Sequence, residues 1–265
     1  MNWDTVYTNA SQWVKEAGER IRASFQETLT IRTKSNPNDL VTDIDQEIEQ
    51  FFISKIRGQY PEHKILGEEG YGDEFEQLDG IVWMIDPIDG TMNFIHQQRN
   101  FAISIGVYEN GVGQMGIIYD VVHDELYHAI RGNGAYFNDK RILPLKERNV
   151  KESIIALNAT WVMENHRINH ELLIPLARAA RGTRSYGSAA LEIVYVATGR
   201  VDAYISLRLS PWDFAAGAIL VEELGGVITN LRGERLDYLS KDSFFAARPG
   251  LHQEILTDYL KNGKW

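Results

Sequence analysis

The sequence predicts an α+β protein built in layers, and three observations carry the prediction. Two amphipathic helices come first, a run of strands fills the middle, and the remainder alternates strand with helix. That succession calls for helices packed on an antiparallel sheet, followed by an α/β half. Residues 4–25 and 43–57 have helical periodicity, the second with Ile44, Ile48, Phe51, Phe52 and Ile56 on one face. Between them Thr33-Lys34-Ser35-Asn36-Pro37-Asn38-Asp39 is rich in turn formers and reads as a loop or tight hairpin. Strands are expected at 81–85, 101–108, 114–119, 125–130 and 134–137, with glycine or polar turns between them.

After the charged connector at 146–152, strands are expected near 153–157, 202–206 and 243–247, with helices near 166–180, 188–198 and 211–224. The change of pattern sets a soft boundary near 150. Residues 1–150 then form a half of helices and antiparallel sheet, and 151–265 an α/β half. No repeat, low-complexity tract or Ser-rich linker separates them, so they are expected to act as one unit.

With 265 residues and 44% hydrophobic composition, the chain has ample material for a core. The absence of cysteine excludes disulfides, thiolate zinc sites and a cysteine nucleophile. Neither a signal-peptide pattern nor an apolar run near the ~20 residues of a membrane span is present, so a soluble, cytoplasmic protein is expected. A net charge of -10 argues against nucleic acid as a direct partner. It would also repel an anionic substrate unless a local cation were supplied.

Ile81-Val82-Trp83-Met84-Ile85 runs straight into Asp86-Pro87-Ile88-Asp89-Gly90-Thr91. Pro87 and Gly90 are expected to stop the strand and turn the chain. Two acids at the rim of a core are expensive unless something positive shares the site, which points to a metal ion held by hard oxygen ligands such as Mg2+ prefers. Glu68, flanked by glycine in Gly67-Glu68-Glu69-Gly70, lies just ahead of this strand. Asp45 and Asp213 each fit a capping box, Thr42-Asp43-Ile44-Asp45 and Ser210-Pro211-Trp212-Asp213. Such a cap explains the acid structurally and still leaves one oxygen for other work.

Other patterns carry less. Gly111-Val112-Gly113-Gln114-Met115-Gly116 matches a dinucleotide fingerprint but leads into a strand where that motif needs a helix, so it reads as a hairpin turn. His166 and His170 stand four apart on the expected 166–180 helix, with Arg167 where a zinc protease has glutamate, and read as a solvated face. No phosphate-binding P-loop is present, and the spacing of Asp86 and Asp89 does not fit an aspartyl-phosphate mechanism.

Gly67-Glu68-Glu69, Asp86-Pro87-Ile88-Asp89-Gly90-Thr91-Met92-Asn93-Phe94 and Trp212-Asp213-Phe214-Ala215-Ala216-Gly217, in that order, closely resemble the inositol monophosphatase family. The resemblance extends through 34–45, Gly132-Asn133-Gly134-Ala135 and Gly187-Ser188-Ala189-Ala190, nearly the whole chain. It implies the layered α-β-α-β-α sandwich shared with fructose-1,6-bisphosphatase, a homodimer, lithium sensitivity, and hydrolysis of small phosphorylated metabolites with two or three Mg2+ ions. By the same resemblance Glu68, Asp86, Asp89, Asp213 and the carbonyl of Ile88 match the metal ligands. Asp45 and Thr91, with Glu68, match the catalytic group that activates water, and Lys34 matches a loop lysine near the outermost metal. Glu68, Ile88, Asp89, Gly90, Thr91, Gly187, Ser188, Ala189 and Asp213 match the substrate-binding set.

One departure bears on the substrate. Relatives that recognise inositol often carry glutamate seven positions before the aspartate of the Trp-Asp motif, and this chain has Ser206 there. Inositol 1-phosphate is the first expectation, with NADP(H), fructose 1,6-bisphosphate and 3'-phosphoadenosine nucleotides as alternatives and Arg208 as a group that could meet a second phosphate. A non-enzymatic alternative is a regulatory partner of the transcription machinery, as some bacterial relatives are.

Overall fold

The computed structural model describes residues 1–26, 29–33 and 40–264. Helix α1 (Trp3–Ser24) opens on Asn2, whose side chain accepts from the Thr5 amide, and buries Val6, Ala10, Trp13, Val14, Ala17 and Ile21 along one stripe. Strands β1 (Ile31–Thr33) and β2 (Leu40–Thr42) pair antiparallel ahead of α2 (Asp43–Gln59), which the Thr42/Asp45 capping box opens. Residues 34–39, including Lys34, lie outside the described residues.

Seven strands form the first sheet in chain order: β3 (Lys64–Gly67), β4 (Ile81–Asp89), β5 (Ala102–Glu109), β6 (Val112–Asp120), β7 (Glu125–Ile130), β8 (Gly134–Phe137) and β9 (Lys140–Arg141). All pair antiparallel except β3 with β4. Helix α3 (Thr91–Gln97) follows β4. The second sheet holds β10 (Ile154–Leu157), β11 (Gly182–Arg184), β12 (Ala203–Leu209), β13 (Val227–Thr229) and β14 (Asp242–Ala247), in the order β11-β10-β12-β14-β13. Its helices are α4 (Ala159–Val162), α5 (Leu173–Ala179), α6 (Ala189–Ala197), α7 (Pro211–Glu223) and α8 (Leu251–Glu254).

Strand alternation sorts the core into layers. Trp83, Ile85, Ile105 and Ile117 face α1 and α2, while Val82, Met84 and Ile118 face α6 and α7. Tyr204, Phe244 and Ala246 of the second sheet cover the other side of α6 and α7. Ala203, Ile205 and Phe245 point the opposite way, toward α5 and α8. The order is therefore α-β-α-β-α. Glycines let α7 sit close on the first sheet: a Cβ on Gly106 would lie 2.9 Å from Ala215, and one on Gly116 would lie 2.4 Å from the Ala216 carbonyl oxygen. The apparent dinucleotide motif is the β5–β6 hairpin, with Asn110 and Gly111 both at positive φ in the turn.

Three expectations need correction. No single helix spans 166–180: Asn165 Oδ1 accepts from the amides of Arg167 and Ile168, and Asn169 Oδ1 from that of Glu171, so side chains take donors a helix would need. Regular helix begins at Leu173, which also removes the shared helical face expected for His166 and His170. Strand β4 does not stop at Ile85 but continues to Asp89, with a slip in register between Asp86 and Asp89, and the chain turns at Gly90. Short strands β3 and β11 were not expected; β3 makes the first sheet mixed, not purely antiparallel.

Candidate active site

The end of β4 supplies the centre of the site. Asp86 is 1% exposed and its Oδ1 accepts from the Ile88 amide at 3.0 Å, across Pro87, which has no amide to donate. Gly90 follows with φ of 98°, and a Cβ there would lie 3.2 Å from the carbonyls of Asn100 and Gly187. Only glycine meets both demands without strain. Helix α3 then begins at Thr91, with no side chain capping it.

Asp213 arrives on the first turn of α7, which packs between the two sheets. Its Oδ2 accepts from the Ser210 amide at 2.8 Å, completing the cap. Asp86, Asp89 and Asp213 each place a carboxylate oxygen within 4.8 Å of the other two. Glu68, whose amide donates to the Ile85 carbonyl at the end of β3, lies within hydrogen-bonding range of the Asp86 carboxyl.

Asp45 and Thr91 meet beside this cluster. Thr91 Oγ1 stands 3.1 Å from Asp45 Oδ1 and 3.2 Å from the Ile88 carbonyl oxygen. Asp45 Oδ2 accepts from the amide of Thr42 at 2.8 Å and from its hydroxyl. The capping box thus fixes the carboxylate and leaves Oδ1 for Thr91.

Asp89 ties the end of β4 to the start of α6. Ser188 Oγ and the Ala190 amide donate to Oδ2, the latter at 2.7 Å, and the Ala189 amide donates to Oδ1 at 3.2 Å. An acid at the end of β4 therefore caps the N-terminus of α6, where the helix dipole favours negative charge. Gly187, Ser188 and Ala189 are brought to the site through this contact.

Two acids outside the expected set hold the site's loops. Glu49 of α2, fully buried, accepts from the amides of Glu69 at 2.7 Å and Tyr71 at 2.9 Å, bracing the Glu68 loop. Glu192 of α6 accepts from the amides of Tyr186 at 2.5 Å and Gly187 at 3.3 Å, bracing the loop that precedes α6. Glu192 has a sequence signal, a lone acid on an otherwise apolar helix face in Ala189-Ala190-Leu191-Glu192-Ile193-Val194, whereas Glu49, one turn after the buried Asp45 in an acid-rich stretch, has none.

Electrostatics set the cluster apart. Burial, then the negative charges of Glu68, Asp89 and Asp213 and a hydrogen bond with Glu68, push the Asp86 carboxyl well above the usual range. Asp213 rises strongly by burial and by the charges of Glu68 and Asp89, opposed by the Ser210 amide and Lys241. Burial lifts Asp89 to about 6 even though Ser188, Ala190 and Ala189 hydrogen-bond its charged form. Carboxylates this close stay ionised only beside a compensating cation.

A sequence profile of the Inositol monophosphatase family matches residues 2–263. The chain belongs to the inositol monophosphatase family. It is 58% identical over 259 residues to the inositol-1-monophosphatase of Bacillus subtilis (strain 168), covering 98% of each chain. Among solved structures it resembles the inositol monophosphate-bound SaIMPase-II, at 43% identity and a TM-score of 0.88, covering 97% of this chain and 94% of that one. It also resembles an IMPase/NADP phosphatase complexed with Mg2+ and phosphate, at 29% identity and a TM-score of 0.88, covering 97% and 95%. Family membership makes this chain a phosphatase that depends on metal.

The residues present fit such a metal. The cluster offers the carboxylates of Asp86, Asp89 and Asp213, with the Ile88 carbonyl oxygen beside Thr91 Oγ1 on the same turn, and includes no histidine or cysteine. That is a hard oxygen set of the kind Mg2+ takes.

Proposed function

We propose that this protein hydrolyses small phosphate monoesters, inositol 1-phosphate among them, with Mg2+ held by Glu68, Asp86, Asp89, Asp213 and the carbonyl of Ile88. The observation that carries this reading is the convergence of Asp86, Asp89 and Asp213 within 4.8 Å, from two separate sheet-and-helix layers, in a chain of this family. Glu68, Asp86, Asp89, Asp213 and the Ile88 carbonyl would hold two or three Mg2+ ions, which would supply neutralisation of the phosphate oxygens and a lowered pKa for water. The protein's own residues orient the reactants. Asp45, fixed by Thr42, takes the hydrogen bond of Thr91 Oγ1, so that as the attacking water gives its proton to Thr91 Oγ1 the hydroxyl's own proton passes to Asp45 Oδ1. With Glu68 these groups act as base and guide for the attacking water. The uncapped amides at the start of α3 are donors for the phosphate, and Gly90 leaves its approach open. Gly187, Ser188 and Ala189, anchored on Asp89, line the leaving-group side. The same reading includes lithium inhibition, a homodimer of two-half subunits and a cytoplasmic location; the family supports these. Among the described residues no helix is long and apolar enough to cross a membrane.

A second reading widens the substrate to NADP(H), fructose 1,6-bisphosphate or 3'-phosphoadenosine nucleotides, and one observation favours it. Ser206 is buried and its hydroxyl stands 3.3 Å from the Arg208 carbonyl oxygen on the same strand, so it offers no charge to a sugar hydroxyl. Phosphate release from inositol 1-phosphate, NADP and fructose 1,6-bisphosphate, with and without Mg2+, tests both readings. Mg2+-dependent release is expected from wild type. Asp89→Asn and Asp86→Asn are expected to reduce it about 10³-fold, roughly 4 kcal/mol of barrier, with circular dichroism unchanged. A near wild-type rate in both folded variants would refute the assignment.

A further inference from the structure

Three side chains hold the loop that leads into α6, and they reach it from different elements. Glu192 takes the amides of Tyr186 and Gly187, but it belongs to α6 and so ties the loop only to the helix that follows it. Asp89 takes Ser188 Oγ and the amides of Ala189 and Ala190. The third is Asn93, on the first turn of α3, whose Nδ2 donates to the Tyr186 carbonyl oxygen at 2.7 Å and to that of Asn100 at 2.8 Å. Its Oδ1 accepts from Gln97 Nε2 at 3.1 Å. The carboxamide is thus used at both ends, in a residue only 6% exposed.

The segments that Asn93 joins are the ones that crowd the Gly90 turn. A Cβ on Gly187 would lie 3.0 Å from Asn93 Nδ2, and one on Gly90 would lie 3.2 Å from the carbonyl oxygens of both Asn100 and Gly187. The Asn100 carbonyl reaches this point because the chain folds back after α3, with Gln98 and Asn100 at φ of 51° and 56°. Two acceptors facing one NH2 group fix the amide's orientation, since the reverse would set Oδ1 against two carbonyl oxygens. Among the described residues, the hydrogen bonds that cross from the β4–α3 turn to this loop come from Asp89 and Asn93. Asp89 also belongs to the acid cluster, whereas Asn93 does not.

We propose that Asn93 is a positioning residue that sets the gap between the Gly90–Thr91 turn and Gly187, Ser188 and Ala189, and through that gap how well the site holds the alcohol part of its ester. The inference rests on the phosphatase reading above, in which the turn receives the phosphate and the loop lines the leaving-group side. Asn93 acts through the Tyr186 carbonyl. Without it the loop stays on α6 through Glu192 but loses one of its two ties to the turn. A phosphate bound at the turn alone does not sense the change. An ester that must meet turn and loop together does, because small misplacements of a bound reactant carry large penalties in rate and binding.

The test measures kcat and KM with Mg2+ for inositol 1-phosphate and for p-nitrophenyl phosphate, whose flat, acidic leaving group needs little from the loop. Wild type, Asn93→Ala and Gln97→Ala are compared, with thermal melts to check folding. Asn93→Ala is expected to lower the ratio of the two kcat/KM values, inositol 1-phosphate over p-nitrophenyl phosphate, about tenfold. The fall should come mainly from KM for inositol 1-phosphate, while the inhibition constant of inorganic phosphate stays within about twofold of wild type. Gln97 is exposed, so Gln97→Ala folds in any case, and releasing Asn93 Oδ1 should lower the same ratio about threefold. A loss of stability alone would reduce both substrates alike. A ratio within about 1.5-fold of wild type in folded Asn93→Ala, or in Gln97→Ala if Asn93→Ala does not fold, overturns the positioning role and leaves the phosphatase reading intact. A rise in the phosphate inhibition constant that matches the rise in KM places the defect at the turn and overturns it as well. If wild type releases phosphate from neither ester with Mg2+, the phosphatase reading fails and the role falls with it.

Discussion

Asp86 and Glu49 are both buried acids flanking the first sheet, 1% and 0% exposed, yet their surroundings oppose each other. Glu49 accepts from two backbone amides, at 2.7 and 2.9 Å, so local dipoles stabilise its charge. Asp86 accepts from one amide and faces the carboxylates of Glu68, Asp89 and Asp213. Burial alone does not mark a metal ligand. What distinguishes the cluster is charge left for an ion to compensate, whereas Glu49, like Glu192, is spent on holding a loop.

The largest expected effect breaks the cluster. Asp86→Asn keeps Oδ1 for the Ile88 amide but removes charge, so Mg2+ should no longer raise the melting temperature, and turnover should fall about 10³-fold. Because it relieves repulsion among buried acids, the metal-free variant should melt no lower than wild type. A large drop in its metal-free melting temperature would place Asp86 among the bracing acids instead.

Glu192 sharpens the comparison through pH. Burial, only partly offset by the Tyr186 and Gly187 amides, lifts its carboxyl to about 7 from the ordinary 4.5. Between those values the folded chain holds a proton that the unfolded chain has released. The contribution of this group to stability is thus full below about pH 4.5 and is lost as pH rises through about 7. The loss is at most roughly 3 kcal/mol. Urea unfolding at pH 5 and pH 8 should show this slope in wild type and a weaker one in Glu192→Gln; equal slopes would show that Glu192 does not titrate in this window.

How much of this was legible in the sequence depends on the range of the forces involved. The apolar run into Asp86 and Asp89 announced a buried acid pair because strand, proline and glycine lie side by side in the chain. Asp45 and Asp213 were legible as caps, since a capping box spans four residues. The contact of Asp89 with the start of α6 joins residues about 100 apart, and no local pattern encodes it. Glu192 left a local trace, an acid on an apolar helix face, and Glu49, one turn after the buried Asp45, left none; the partners of both are loop amides, which have no side-chain signature. The 166–180 segment carried helical periodicity, and Asn165 and Asn169 overrode it by bonding their own neighbours' amides.

The smallest expected effect tests whether Glu49 acts through the loop alone. A Cβ on Gly67 would lie 2.5 Å from the Glu49 carboxylate, so Gly67→Ala must push that carboxylate off the Glu69 and Tyr71 amides. Losing part of these bonds should cost about 1 kcal/mol of stability and several-fold in turnover, as Glu68 loses its support. Glu49→Ala removes the carboxylate outright and should cost more. In that background the methyl of Gly67→Ala meets no carboxylate, so the second substitution should add almost nothing to either loss. Residues that share one contact are expected to couple in this way, with a double variant far better than the sum of the singles. Additive losses in the double-mutant cycle would mean that Gly67 matters for its own backbone, and that the brace on the Glu68 loop lies elsewhere.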